Sequence, residues 1–269
     1  MRILAITVDT TQLGHMGGTG PPGEYEGASA FHEAVRRTVT LAGTRDAAAR
    51  KSLETPFPVG GADIYRLNCR SCHGARGEGM APEVASIIGL AGALSQAVIE
   101  KNMRAAVGHV RPDLAKQLAE QAEQLLRERL RNGGKAMPPF VHLSGPEIDA
   151  LIDYLRGLGG APTSTLRNAR ATESAARIGE HLIQGTCRIC HDATGPGAGH
   201  MMMMAGRIPA LANIPDQLSL EAVVHKVRYG WSDMAGLSHQ LSRMPTFSYV
   251  SDWEVAAAYA YLAYYPPVD

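Results

Sequence analysis

Cys69-Arg-Ser-Cys72-His73 and Cys187-Arg-Ile-Cys190-His191 are the two stretches that organise this chain. They share the pattern Cys-x-x-Cys-His and use all 4 cysteines of the 269 residues. No cysteine therefore remains for a disulfide or a free thiol. Two residues between the cysteines let one helical turn present both sulfurs on the same side, with the histidine directly beyond them.

This spacing is typical of covalent haem attachment, in which the histidine becomes the proximal iron ligand. A redox dithiol usually opens a helix after a strand, whereas helical sequence precedes both motifs. A four-cysteine zinc site usually separates its pairs by ~15–20 residues, far fewer than lie between Cys72 and Cys187. The pattern favours haem over both alternatives. It predicts two haem c groups, attached to Cys69, Cys72, Cys187 and Cys190, with His73 and His191 as iron ligands.

Each motif lies near the start of one of two copies of a longer sequence pattern. In each copy a helix leads into the motif, and a Gly- or Pro-rich loop, a second helix, a Met-Pro dipeptide and a closing amphipathic helix follow. The repeat predicts an N-terminal extension over residues 1–57, a first domain over residues 58–160 and a second over residues 161–269.

Local signals predict where several of these helices begin and end. Ser144 with Glu147, and Ser251 with Glu254, form capping-box patterns that predict the starts of the two closing helices. Further helices are expected over Ser95–Ala106, Pro112–Arg131, Thr172–Gln184 and Ser219–Tyr229, and one in the extension over Ala28–Ala42.

The Met-Pro dipeptides supply the candidates for the sixth iron ligands. Met137 and Met244 occupy corresponding positions in the two copies, each followed by a proline that stiffens the backbone. A methionine opposite a histidine raises the reduction potential of a haem. Because methionine more often packs in a core, competitors stay open. These are Met80, Met103, His109 and His142 for the first haem, and His200, Met234, His239 and Met201–Met204 for the second.

Two other motifs are weaker. The run Met201–Met204 has the soft sulfur that copper(I) prefers, but shielding of a haem edge or contact with a partner is favoured. Gly18-Thr-Gly20-Pro-Pro-Gly23 matches the glycine pattern of dinucleotide sites. Its two prolines remove backbone donors, and no strand leads directly into it, so we expect no nucleotide.

Charge and hydropathy restrict the partners. The chain has 26 basic and 26 acidic residues, evenly spread, so we expect no nucleic acid and no anionic membrane surface. No stretch of the sequence reaches the ~18–20 consecutive apolar residues of a membrane span. We therefore expect membrane contact only through partners.

The apolar N-terminal run ends at Asp9, too early for a signal peptide. Haem attachment of this kind normally takes place outside the cytoplasm, so we expect a periplasmic or other extracytoplasmic location. Either a leading segment precedes the residues numbered here, or export uses a signal of another kind.

The residues resemble class I cytochrome c in its tandem dihaem form. In the first copy the resemblance rests on Gly61-x-x-x-Tyr65-x-x-x-Cys69, Met137-Pro138 and Tyr154-Leu155. In the second it rests on Gly179, the Cys187–His191 motif, Met244-Pro245 and Tyr261-Leu262. The resemblance implies an all-α fold of two small domains, each around one haem, with first and last helices crossing near Gly61 or Gly179. The helical insert of roughly Val110–Arg131 departs from the family pattern.

Three functions are consistent with such a chain. The leading one is single-electron relay between redox protein partners, either alone or within a membrane-bound respiratory or photosynthetic complex, because protein ligands on both iron faces leave no position for a substrate. The second is a dihaem enzyme of the peroxidase or thiosulfate-oxidising type, which needs an open iron position. The third is a structural haem subunit with little turnover.

Overall fold

The computed structural model describes residues 56–134, 137–191, 211, 214–230 and 244–264. Most of the extension, including the helix expected over Ala28–Ala42, lies outside the described residues. The same holds for Met201–Met204 and for the alternative ligands His200, Met234 and His239.

The described residues form two compact units, one of Pro58–Ala171 and one of Pro56, Phe57 and the described residues from Thr172 onward. The first unit contains six helices: α1 (Gly61–Asn68), α2 (Arg70–His73), α3 (Ile88–Ala93), α4 (Gln96–Val107), α5 (Pro112–Asn132) and α6 (Gly145–Leu158). A short 3-10 turn, Thr163–Thr165, follows them.

The second unit repeats the order of the first with fewer described helices. They are α7 (Ala175–Leu182), α8 (Arg188–His191), α9 (Ile214–Gln217), α10 (Leu220–Tyr229) and α11 (Asp252–Tyr264), with a π turn at Ile183–Cys187. The only sheet in the described part of the chain pairs β1 (Pro56–Gly60) with β2 (Arg170–Ser174). The expected all-α fold of tandem helical domains is confirmed.

Both closing helices begin where the sequence predicts. At α6 the Ser144 hydroxyl accepts the Glu147 amide at 3.4 Å, and the Glu147 carboxylate accepts the Ser144 amide at 2.6 Å. At α11 the Glu254 carboxylate accepts both the amide and the hydroxyl of Ser251 at 2.8 Å. Both glutamates are fully buried. The caps therefore satisfy donors that burial would otherwise leave unpaired.

The start of the helix before the second motif was predicted too early. Residues 172–174 belong to β2, and α7 begins at Ala175. The hydroxyl of Ser174 accepts the amide of Arg177 at 3.2 Å and forms the cap. Strand pairing of Thr172, Glu173 and Ser174 is a contact with a segment distant in sequence, so the local helical pattern does not contain it.

Each unit is held by a close crossing of its first and last helices at a glycine. A Cβ built on Gly61 would lie 2.0 Å from the carbonyl oxygen of Ala150 in α6. A Cβ built on Gly179 would lie 2.3 Å from the carbonyl oxygen of Ala257 in α11. No side chain fits at either point, so the helices approach backbone to backbone. The crossing implied by the resemblance is confirmed in both copies.

The helical insert of the first copy is fastened by charge as well as by packing. Helix α5 buries Ala115, Ala119, Leu126 and Leu130, whereas α4 has no buried residue. Arg156 of α6 donates to the Leu94 carbonyl at 3.0 Å and to the Glu123 carboxylate at 2.7 Å. Glu123 also accepts from Arg127 at 2.8 Å, and Arg127 pairs in turn with Asp149 of α6.

Replacing either crossing glycine by alanine should separate the helices. We expect Gly61→Ala and Gly179→Ala each to lower the free energy of unfolding by about 2–4 kcal/mol, because the new methyl group meets a backbone that cannot move aside cheaply. Thermal unfolding of the purified variants measures the loss. Gly145→Ala, in α6 with nothing within 4 Å of the added carbon, is the control. Equal stability of all three variants would contradict the close crossing.

Removing the Arg156 guanidinium should loosen the insert. In Arg156→Met the Leu94 carbonyl and the Glu123 carboxylate lose a donor, and we expect a loss of about 1–3 kcal/mol in chemical denaturation. Lys116→Met is the matched control, because the Lys116–Glu120 pair is 3.9 Å long with both side chains 66% exposed. If Lys116→Met costs as much stability as Arg156→Met, the contacts of Arg156 with Leu94 and Glu123 are not a specific support of the insert.

Candidate haem-binding sites

The first Cys-x-x-Cys-His motif forms a single helical turn. The amide of Cys69 donates to the Tyr65 carbonyl at 2.8 Å and so continues from α1. The amide of His73 donates back to the Cys69 carbonyl at 2.9 Å. Cys69, Cys72 and His73 are all partly accessible. One turn therefore presents two sulfurs and an imidazole next to one another, which is the arrangement that thioether attachment requires.

The first thiol of each motif has a shifted pKa. Burial, with a smaller contribution from Cys72, raises the pKa of Cys69 to about 12. Burial and Cys190 raise the pKa of Cys187 to about 12 in the same way. Reactive dithiols work as thiolates with lowered pKa values. The raised pKa values therefore fit a neutral sulfur, as in a thioether, better than a redox dithiol.

The imidazole of His73 has the properties of an iron ligand. Burial lowers its pKa, and the backbone of Ala85 opposes this only in part. The lowered pKa favours the neutral ring, which is the form that binds metals. Its Nδ1 atom is buried and has no hydrogen-bond partner among the described residues. The residues of the first motif fit a covalently bound haem.

The second motif is entered through a π turn. The amide of Arg188 donates to the Ile183 carbonyl across that turn, and α8 then carries Cys190 and His191. The guanidinium of Arg188 donates to the Gln184 side chain at 3.0 Å, and burial lowers its pKa. Gly179 precedes Cys187 by the same number of positions as Gly61 precedes Cys69. The spacing in sequence between the crossing glycine and the motif is therefore the same in both copies.

The two candidate methionines lie in segments with the same backbone anchor. The Phe140 amide donates to the Leu130 carbonyl at the end of α5 at 2.7 Å, and the Phe247 amide donates to the Val227 carbonyl in α10 at the same distance. Met137 and Met244 each lie three positions before the anchored phenylalanine and are partly buried. The repeat seen in the sequence is thus also a repeat of structure at the methionines.

The four described competitors of Met137 are less suited to the first iron. Met80 is 51% exposed in the loop after the motif. Met103 lies on α4 and lines an apolar groove with Ile88 and Leu118, away from any motif residue. His109 is exposed and contacts the Val107 carbonyl at 3.1 Å. His142 is engaged by the Asn68 side chain at 2.9 Å.

Two contacts of the first site escaped the sequence analysis. The Tyr65 hydroxyl donates to the Gly74 carbonyl, directly after His73, at 2.8 Å. The Tyr65 ring also packs on Tyr154 of α6 at 5.3 Å between centroids, and burial raises the pKa of its phenol. The second contact joins His142 to Asn68. Neither pair has a spacing that helical periodicity reveals, although Tyr65 itself belongs to the recognised pattern.

Comparison with known proteins agrees with this geometry. A family model described as cytochrome c oxidase, cbb3-type, subunit III, matches residues 58–155 and again residues 174–262. Each match runs from the strand before the first helix to the closing helix, and together they cover well over half of the chain. No curated protein and no solved structure matches it.

Proposed function

Because the chain belongs to the family of subunit III of cbb3-type cytochrome c oxidase, we propose that it relays single electrons through two haems as part of a respiratory complex. The chain is a c-type cytochrome with two haem-binding domains, and electron transfer is the function of its family. To this we add three proposals: that the chain binds two haems, which residues hold them, and that the chain belongs to a respiratory complex.

The observation that carries the proposal is the repeated set of donors. Cys69 and Cys72 would hold the first haem and Cys187 and Cys190 the second. The axial ligands would be His73 with Met137, and His191 with Met244. A bound haem supplies reversible exchange of one electron at its iron. The chain would attach the haem through the cysteines, would ligate its iron through histidine and methionine, and would set its potential through these ligands and through burial.

Occupation of both iron faces favours relay over the enzyme alternative. A peroxidase or a thiosulfate-oxidising cytochrome needs one haem with an open or exchangeable position. Met137 and Met244 are held by equivalent anchors in the two copies, which supports a closed position in each. Exposure of ferric protein to cyanide or peroxide would separate the two functions, because only an open iron reacts readily.

The surface of α4 and of the insert helix α5 supports membership of a complex. Helix α4 buries none of its residues, and Val107, Leu118 and Leu125 are 61%, 40% and 64% exposed. The ion pair between Arg156 and Glu123 nevertheless holds α5 in place. A fastened helix with exposed large apolar side chains suits contact with another subunit. We propose that this face docks on the oxidase, and a size measurement on the native protein that finds a lone monomer would contradict it.

The proposed location is the extracytoplasmic face of the membrane. Covalent attachment of haem to Cys-x-x-Cys-His takes place outside the cytoplasm, and both motifs have the geometry it needs. Among the described residues, no helix has the length and hydropathy to span a bilayer. Fractionation of cells that express the full chain tests the location.

Removing one pair of cysteines should remove one haem. We expect two haems per chain in the mature protein and one in the Cys69→Ser/Cys72→Ser variant, because thioether bonds need both sulfurs. A pyridine haemochrome assay with protein mass spectrometry counts them. The Ser71→Ala variant, inside the motif, is the control and should keep two haems. Retention of two covalent haems in the double-serine variant would sink the assignment.

Loss of a methionine ligand should open one iron. In Met137→Ala we expect one high-spin ferric haem, loss of part of the far-red sulfur band, and a potential lower by on the order of 0.1 V at that haem. Absorption spectroscopy with redox titration measures all three. Met103→Ala is the control because Met103 lies on α4 and lines the groove. An unchanged spectrum in Met137→Ala would reject Met137 as the ligand.

A further inference from the structure

A partly buried hydrogen bond connects the two sides of the proposed first haem site. Asn68 immediately precedes Cys69 and is 2% exposed. Its side-chain oxygen lies 2.9 Å from Nε2 of His142, which follows Met137 in the segment before α6. One partner therefore belongs to the attachment helix and the other to the methionine segment.

The direction of this bond follows from the neighbouring contact. The Asn68 amide nitrogen donates to the Ile64 carbonyl at 2.9 Å within α1. This assigns the Asn68 oxygen as the group that faces His142, and an amide oxygen only accepts. Nε2 of His142 must therefore carry the hydrogen. Nε2 of His142 is therefore committed to Asn68, and the bond holds the His142 ring beside the attachment helix.

The segment between Met137 and His142 is short and stiff. Pro138 and Pro139 fix their backbone φ angles, and the Phe140 amide is anchored to the Leu130 carbonyl. The rings of Phe140 and His142 are in contact, with 5.9 Å between centroids. A shift of His142 would therefore be transmitted to Met137 rather than absorbed by a flexible loop.

We propose that Asn68 and His142 are positioning residues that hold the Met137 segment against the attachment helix and so strengthen methionine ligation at the first haem. The proposal rests on Met137 being the ligand. The corresponding positions of the second copy hold Thr186 and Tyr249, so the amide–imidazole bond is particular to the first copy. Breaking it should affect one haem and leave the other unchanged.

The test measures how easily exogenous imidazole displaces methionine from each haem of the ferric full-length protein. We expect His142→Leu to lower the half-saturating imidazole concentration at the first haem roughly 3–10-fold, as loss of a hydrogen bond worth ~1 kcal/mol implies. His142→Gln keeps a hydrogen-bond donor at this position. It should therefore restore most of the resistance of the Met137–iron bond to displacement by imidazole. Met137→Ala identifies which titration phase belongs to the first haem.

Two further variants make the result specific. Asn68→Leu removes the same bond from the other partner, so its effect and that of His142→Leu should not add in the double variant. If His142→Leu fails to mature with haem, Asn68→Leu and His142→Gln still decide the question. Tyr249→Phe, the counterpart in the second copy, should leave the first titration phase unchanged.

The outcomes separate this proposal from the proposed function. If Met137→Ala leaves the far-red band and both imidazole phases intact, the ligand assignment itself fails. If Met137→Ala opens one haem but Asn68→Leu and His142→Leu leave imidazole affinity unchanged, the ligand assignment stands and the positioning role is rejected. If both haems respond equally to Asn68→Leu, the effect is a general loss of stability and the proposal is rejected as well.

Discussion

The contact of a glycine with a backbone carbonyl decides how each unit is built. Gly61 on Ala150, and Gly179 on Ala257, bring the first and last helices closer than any side chain would allow. The Cys-x-x-Cys-His motif begins about two helical turns beyond each glycine. The crossing therefore fixes where the two sulfurs and the histidine lie relative to the closing helix, and a haem attached there would take its position from the crossing.

Much of this arrangement can be predicted from residues that are close together in the sequence. Ser144 with Glu147 and Ser251 with Glu254 identify helix starts because a cap is made by residues three positions apart. The motif itself is local as well, since a single turn contains it. The beginning of α7 could not be predicted in this way, because the pairing of β2 with β1 competes with the helical preference of residues 172–174.

The parts that escaped prediction depend on contacts whose spacing leaves no periodic pattern in the sequence. The clamp of Arg156 on Glu123, the contact of Tyr65 with Gly74 and the bond between Asn68 and His142 need the folded chain before they can be recognised. Each is found in the first copy, at positions where the second copy has different residues. The two proposed haem sites therefore differ in detail although their helical frames are alike, and such differences would give two bound haems different potentials.

The central claim is that both irons are closed by protein ligands, so that the chain carries electrons and does not transform a substrate. Low-temperature electron paramagnetic resonance of the fully oxidised, full-length protein tests it most directly. Two low-spin ferric signals, with no high-spin signal, are the expected result for ligation by histidine and methionine at each haem. A stoichiometric high-spin signal in the native protein would contradict the claim and would indicate an open iron of the kind an enzyme uses.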